Sequence, residues 1–230
     1  VEGKTTTQFE SGEVAYLLGD AFSQTIGTNA TPVFATEANK VYQSFECDGT
    51  TPRYTNDASL EGKAAPHTFG ANSNGFCTVC DGYEPAALVT EENYTELGLS
   101  ADYIGYYAIT NAGNLYWFAD KVDNDNANFG SANAVLTADI KIPSKPSGTR
   151  HWNPIGSADA KYSGIFDGNG KAIGDIFAGD TTADMVGLVA WLTEDGVVKN
   201  VTVTGVRLNG NDTVGAIVAY NEGTVELCGN

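Results

Sequence analysis

The chain has 230 residues, of which 42% are hydrophobic and 18% charged, so it carries enough apolar surface for a core and lacks the signature of a disordered polymer. Twelve basic residues face 29 acidic ones, a formal charge of −17. Such a chain repels phosphate backbones and anionic lipid, which argues against nucleic-acid binding, and no run of about eighteen apolar residues exists to insert into a membrane.

The opening residues, Val1 to Gln8, are polar, as in a secreted chain whose signal has been removed. A first stretch runs from Phe9 to Tyr42. Within it, Ser11-Gly-Glu-Val-Ala-Tyr-Leu-Leu-Gly19 predicts a short helix. Ser11 serves as N-cap, Val14, Leu17 and Leu18 form one apolar face, and Gly19 ends it. Short strands are expected at Ser23–Ile26 and Lys40–Phe45, with Pro32 between them.

The second stretch, Cys47 to Glu84, has little periodicity and is rich in Gly, Asn, Pro and Thr. Regular structure alone would not order it, so a crosslink is required. Cys47, His67, Cys77 and Cys80 supply the candidates, spaced C-x19-H-x9-C-x2-C, with glycines on both sides of Cys77-Thr-Val-Cys80. Three thiolates and an imidazole make a closed, tetrahedral, structural zinc site. The alternative is a disulfide, since an oxidising compartment favours one and Cys228 supplies a fourth cysteine.

The third stretch starts near Tyr106. Thr110–Val122 reads as an amphipathic helix with Leu115, Phe118, Ala119 and Val122 on one face and Trp117 at its flank. A helix there can cap the open end of a solenoid. Strands are then expected at Ala134–Ile140, Trp152–Ile155, Gly164–Phe166, Lys171–Ile176, Val186–Ala190, Val197–Val206 and Val214–Tyr220. Met185-Val-Gly-Leu-Val-Ala-Trp191 is echoed by Thr213-Val-Gly-Ala-Ile-Val-Ala-Tyr220, and Asp195-Gly-Val-Val-Lys-Asn-Val201 by Glu222-Gly-Thr-Val-Glu-Leu-Cys228. The offset of about 27 to 29 residues lies in the range of solenoid repeats. In this alignment Cys228 stands opposite Val201, as a small inward-facing hydrophobe.

The expected fold is therefore mainly all-β: a right-handed parallel β-helix over 106–230, capped by a helix and preceded by a small irregular α+β unit. That unit occupies 1–90 and holds the Cys/His crosslink, with a linker at 91–105. Because the chain stops inside a repeat copy, the coil is expected to be truncated at its C-terminus.

Tyr162-Ser-Gly-Ile-Phe-Asp-Gly-Asn-Gly-Lys-Ala-Ile173 resembles the opening of right-handed β-helix surface proteins of bacteria. The Val-Gly-Leu-Val-Ala and Val-Gly-Ala-Ile-Val-Ala rungs resemble the GLUG repeat of adhesin-like proteins from gut bacteria, which also occurs beside some immunoglobulin-cleaving metallopeptidases. Phe9-Glu-Ser-Gly-Glu-Val-Ala-Tyr-Leu-Leu-Gly, with Gln24-Thr-Ile-Gly27 and Lys40-Val-Tyr42, resembles a further segment of such proteins. Here the link before Gln24 is shorter, and Asp123–Ser131 is an insertion. The resemblance implies display outside the cell, as a secreted or surface scaffold or adhesin-like module, and no catalytic residue.

Other chemistry has little support. Asp123-Asn-Asp-Asn126 fails as a calcium loop because Asn128 and Ala134 stand where Gly and Glu are needed. Asp167-Gly-Asn-Gly170 reads as a tight turn, and Asp139, Asp159 and Asp175 also fall at strand ends or turns. No serine-hydrolase elbow, zinc-protease helix or phosphate loop occurs. The chain is thus read as no enzyme, with a protein or glycan partner. The alternative is a carbohydrate-active β-helix enzyme or glycan-binding module, with paired carboxylates and a platform from Tyr106, Tyr107, Tyr116, Trp117, Trp152 and Trp191. Most of these aromatics are expected to be buried.

Overall fold

The structure, a computed structural model, describes residues 3–144, 148–178 and 184–230. Two compact units are found: Val1–Thr68 with Cys77–Gly82, and Phe69–Phe76 with Tyr83–Asn230. Residues 83–105 are part of the second unit.

The first unit begins with two short helices, α1 (Thr6–Glu10) and α2 (Glu13–Leu18). Thr5 and Gln8 form a reciprocal capping box on α1, a helix the hydropathy pattern does not announce. The N-cap of α2 is Gly12 rather than Ser11, because the chain needs a left-handed residue there (φ 88°). A Cβ on Gly12 would also press on Ile26 and Val41. The face expected to be buried is corrected as well: Val14 and Ala15 are inside, whereas Leu17 and Leu18 are 59% and 49% exposed.

Two antiparallel pairs follow: β1 (Phe22–Ser23) with β2 (Val33–Phe34), and β3 (Tyr42–Phe45) with β4 (Pro52–Thr55). Much of the unit's buried material is polar. Gln24 is fully buried, and its amide donates to the carbonyls of Phe9 and Asn29, each at 2.8 Å. The Asn56 side chain accepts from the N–H of Ile26 and donates to the carbonyls of Gln24 and Lys40. Among the described residues of this unit the only buried apolar side chains are Val14, Ala15, Val41 and Cys77. A core this small cannot offset the entropy of ordering so many residues.

The second unit opens with β5 (Ala87–Leu88), β6 (Tyr107–Ile109), α3 (Ala112–Asn124) and α4 (Asn126–Phe129). The helix expected at 110–122 is α3, capped by Asn111, whose side chain accepts from the N–H of Asn114. Its anticipated stripe of Leu115, Phe118, Ala119 and Val122 is buried. The polar Asp123–Asn126 stretch is the junction between α3 and α4. Gly75 meets Gly113 at the start of α3: a Cβ on Gly113 would collide with the Gly75 carbonyl. Strands continue through β7 (Ala134–Leu136), β8 (Ile140–Lys141), β9 (Ile165–Asp167), β10 (Ala172–Gly174), β11 (Phe177–Ala178) and β12 (Met185–Val186). They end with β13 (Val189–Leu192), β14 (Val197–Lys199), β15 (Thr202–Thr204), β16 (Arg207–Leu208), β17 (Thr213–Val214), β18 (Val218–Asn221) and β19 (Thr224–Glu226).

Several long strands read from the sequence are cut by corners into two. Trp152–Ile155 makes only isolated bridges, to Ala178 and Val189. Except for β5 with β6, every strand pair of this unit among the described residues is parallel. The chain visits the ladders in a fixed order: β9, β10, β11, β12 and β13 are followed by β14, β15, β16, β17 and β18 on the partner strands. Strand β19 then returns beside β14. Side chains bridge neighbouring passes, as in Asn200 to Asp167 and Asn211 to Asp184. One apolar core runs through these ladders and takes in the inner face of α3. Trp152, Tyr162, Phe166, Ile173 and Leu188 are among its fully buried side chains. The Trp152 indole donates to the Gly187 carbonyl at 3.0 Å, and the Tyr162 hydroxyl to Ala132 at 2.9 Å.

Candidate metal centre

Cys47, His67, Cys77 and Cys80 come together in the first unit. One ligand atom from each, three sulfurs and an imidazole nitrogen, lies within 4.8 Å of all the others. Backbone geometry accounts for their convergence. The segment around Ala64 runs beside the end of β3, with Phe45 N–H donating to Lys63 O and Ala65 N–H to Phe45 O, both at 2.9 Å. His67 and Cys47 follow directly on these two paired strands. Asp48 holds the turn after Cys47, accepting from the N–H groups of Thr50 and Thr51 at 2.8 Å. The Thr51 hydroxyl, with those N–H groups, holds the Asp48 carboxyl down at about 2.

The Cys77–Cys80 knuckle is tied to the same place. Thr78 N–H donates to Thr68 O at 3.0 Å, Cys77 N–H to Gly82 O at 2.7 Å and Asp81 N–H to Cys77 O at 3.0 Å. Asp81 adopts a left-handed conformation (φ 63°) that lets the chain double back. Gly82 is required by contact: a Cβ would lie 2.7 Å from His67 Cε1 and 3.3 Å from Cys80 Sγ.

Two pairs define the site: Cys47 Sγ lies 3.5 Å from Cys77 Sγ, and Cys80 Sγ lies 3.2 Å from His67 Nδ1. All four cysteines are free thiols. The Cys47–Cys77 separation is far beyond the bond length of about 2.05 Å in a disulfide. Burial pushes the Cys77 thiol up. Backbone N–H groups of Cys80, Val79 and Thr68, helped by His67, outweigh it and bring Cys77 down to about 5. Cys47 moves the other way, to about 12, through its contact with Cys80, its burial and its contact with Cys77. With their ligand atoms this close together, the four residues can hold a metal ion.

The fourth cysteine, Cys228, belongs to the second unit. It packs at the margin of the apolar core, and its thiol faces the Glu226 carbonyl at 3.2 Å. The parallel bridge of Thr202 to Gly229 sets it opposite Val201, as the repeat alignment implies. Of the six aromatics considered as a platform, Tyr116 and Trp152 are buried. The expectation that most are buried is corrected for Tyr106, Tyr107, Trp117 and Trp191, which keep an exposed edge.

The turn carboxylates are engaged as scaffold. Asp139 accepts from the N–H of Ala172 at 2.9 Å. Asp167, only 3% exposed, accepts from the N–H of Asn169, the Asn200 amide and the Tyr103 hydroxyl, with Lys199 Nζ at 3.5 Å. The sequence marked Asp167 as a turn residue but gave no sign of this network. Burial and the Asp167 carboxylate raise the Tyr103 hydroxyl to about 12.

No protein family matches this chain, and no solved structure does. Among curated proteins, part of the chain is similar to halomucin from Haloquadratum walsbyi, with 33% identity over 115 residues. The match covers 44% of this chain and 1% of halomucin. A putative Gly-rich membrane protein of Evansella cellulosilytica is 32% identical over 78 residues, covering 33% of this chain and 9% of that protein. The chain thus spans a small fraction of the relatives it matches. No helix among the described residues is long and apolar enough to cross a membrane.

Proposed function

We propose that this chain is a non-catalytic scaffold or adhesin-like module of a secreted or cell-surface protein, built on a right-handed parallel β-helix of GLUG-like repeats and stapled in its first unit by zinc. The observation that carries this reading is the ordered return of the chain to the same parallel ladders around an apolar interior. Such stacking makes a stiff, extendable rod whose stability accrues turn by turn. The similarity to halomucin and to a protein described as a membrane protein agrees with a place at the cell surface.

The donor set fits zinc. With Zn–S bonds of about 2.3 Å, the edges of a tetrahedron of ligands are about 3.8 Å. The sulfur–sulfur distance of 3.5 Å and the sulfur–nitrogen distance of 3.2 Å lie just inside it, and the remaining pairs, all within 4.8 Å, need to close by no more than about 1 Å. Cys47, Cys77 and Cys80 would bind through Sγ and His67 through Nδ1. Bound there, zinc links the end of β3, the His67 segment and the knuckle of a unit with almost no apolar core.

Elemental analysis of the purified chain tests the staple. One zinc per chain is expected, absent from Cys77→Ser and retained by Cys228→Ser. Absence of zinc from the wild type, with Cys47 found oxidised by mass spectrometry, overturns it. A screen against polysaccharides tests the non-catalytic reading: depolymerisation that disappears on replacing Asp139 and Asp175 would make the chain an enzyme.

A further inference from the structure

Two concavities adjoin on the second unit. One, with a volume of about 510 Å³, is lined by Lys141, Arg150, Arg207, Asp175, Asn74 and Thr149 among others. The second, of about 250 Å³, adds Asp139 and Thr204 and shares Lys141 and Asp175 with the first. Together they make a groove across one face of the strands. Lys141, Gly174 and Thr204 stand in register on β8, β10 and β15. The glycine in the middle leaves the floor low, since a Cβ there would come within 3.2 Å of Thr204 Oγ1.

The charge of the larger cavity runs against the molecule. In a chain of 29 acids and twelve bases, it gathers two of the three arginines and a lysine around one carboxylate. Arg150 is 7% exposed, its guanidinium 3.5 Å from the centre of the Phe76 ring, so a fixed cation forms part of the wall. Arg207 and Lys141 stand at the exposed rim. A cation cluster in a concave wall concentrates anions even when the net charge is negative. Guanidinium groups match the paired oxygens of sulfate, phosphate and carboxylate. Asp175 pairs with Lys141 at 3.4 Å with both side chains largely in water, a contact that costs little to rearrange. Carboxylates beside the cations repel a second anion but accept hydrogen bonds from hydroxyls. The volume suits a small organic ligand.

We infer that this groove binds an anionic saccharide: Arg150, Arg207 and Lys141 receive its sulfate, phosphate or carboxylate, and Asp175, Asp139 and Thr204 take hydroxyls of the same or the next sugar. The site is independent of the Cys/His cluster, so its failure leaves the zinc staple and the scaffold untouched.

Titration of the ¹⁵N-labelled full chain at low ionic strength tests it, with glucose 6-sulfate, glucose 6-phosphate, glucuronate, glucose and inorganic sulfate as probes. At least one charged sugar is expected to shift the amide signals of Lys141, Asp175, Thr204 and Arg207, and the best of the three identifies the anion. Glucose should leave them in place. Arg207→Gln and Lys141→Gln, both at exposed positions, should fold normally and weaken binding about tenfold, the loss expected for one charge-assisted contact. Arg150→Gln should abolish binding if it folds. No shift at these residues with any charged sugar overturns the proposal, as does unchanged affinity in both rim variants. Inorganic sulfate binding as tightly as the sugar sulfate would mean an adventitious ion only.

Discussion

The two units hold themselves together in opposite ways. The second buries a continuous apolar interior, with Trp152, Tyr162, Phe166 and Leu188 inaccessible to water. The first buries Gln24, Ser23 and Ser44 alongside three small or medium apolar side chains and Cys77. Burying apolar side chains contributes about 1.5–3 kcal/mol each, so the second unit stands on its interior. The first has no such reserve, and its buried interior is largely a set of polar contacts. The same chain thus meets conformational entropy in two settings: with depth of core where the sequence repeats, and with buried polar contacts beside a cluster of potential metal ligands where it does not.

Separating the two should be possible with one experiment on each side. Zinc held by such ligands contributes on the order of 10 kcal/mol to folding of small domains. Cys77→Ser, or a strong chelator on the wild type, should therefore melt the first unit, seen as loss of protection from hydrogen exchange across 5–68. Protection across 134–226 should persist. The converse is Trp152→Ala, which empties a buried site and strands the Gly187 carbonyl. It should cost the second unit about 3–5 kcal/mol while zinc content stays unchanged. If Cys77→Ser leaves exchange in the first unit unaltered, the contrast between the units fails.

Gly82→Ala is a finer probe of the first unit. Its Cβ would stand 2.7 Å from the His67 ring, so the ring must move off its ligand position. A loss of about 1–3 kcal/mol is expected, together with weaker zinc binding in competition with a chromogenic chelator. Unaltered zinc affinity would show that His67 is not a ligand.

How much of this could be read beforehand follows the same division. Helix α3 was legible because Leu115, Phe118, Ala119 and Val122 keep one apolar stripe through its thirteen residues. The repeat was legible because Val186-Gly187 recurs as Val214-Gly215, and the two valines stand opposite each other on neighbouring strands. The Cys/His set was legible from residue type alone, and its closure needed the bridge of Phe45 to Ala64. Helix α1, five residues long, falls below the length at which periodicity speaks, whereas the six-residue α2 was marked by its bounding residues and only its N-cap and buried face were misread. Phe69–Phe76 joins the second unit through Gly75 against Gly113, a fit that hydropathy does not register. The basic groove was invisible because Lys141, Arg150 and Arg207 are brought together by successive passes and share no local motif.

The smallest expected effect tests whether the second unit also carries polar strain. Asp123, on α3, sits with its carboxyl half out of water; burial first, and the Asp120 carboxylate next, raise it from 3.8 to about 6, against a contact with Ser157 that lowers it. The folded state therefore holds this proton more tightly than the unfolded chain does. Its contribution to stability is complete below about pH 4 and is lost as the pH climbs through 6. At pH 7 the ionised carboxyl is a cost, about 1 kcal/mol once screening of a half-exposed group is allowed for. Asp123→Asn should recover that amount at pH 7, gain nothing at pH 4, and flatten the pH dependence between them, as read by urea unfolding of the second unit. An asparagine variant no more stable than wild type at pH 7 would mean that the carboxylate is compensated where it lies, and that the second unit's stability rests on its apolar interior without a polar penalty.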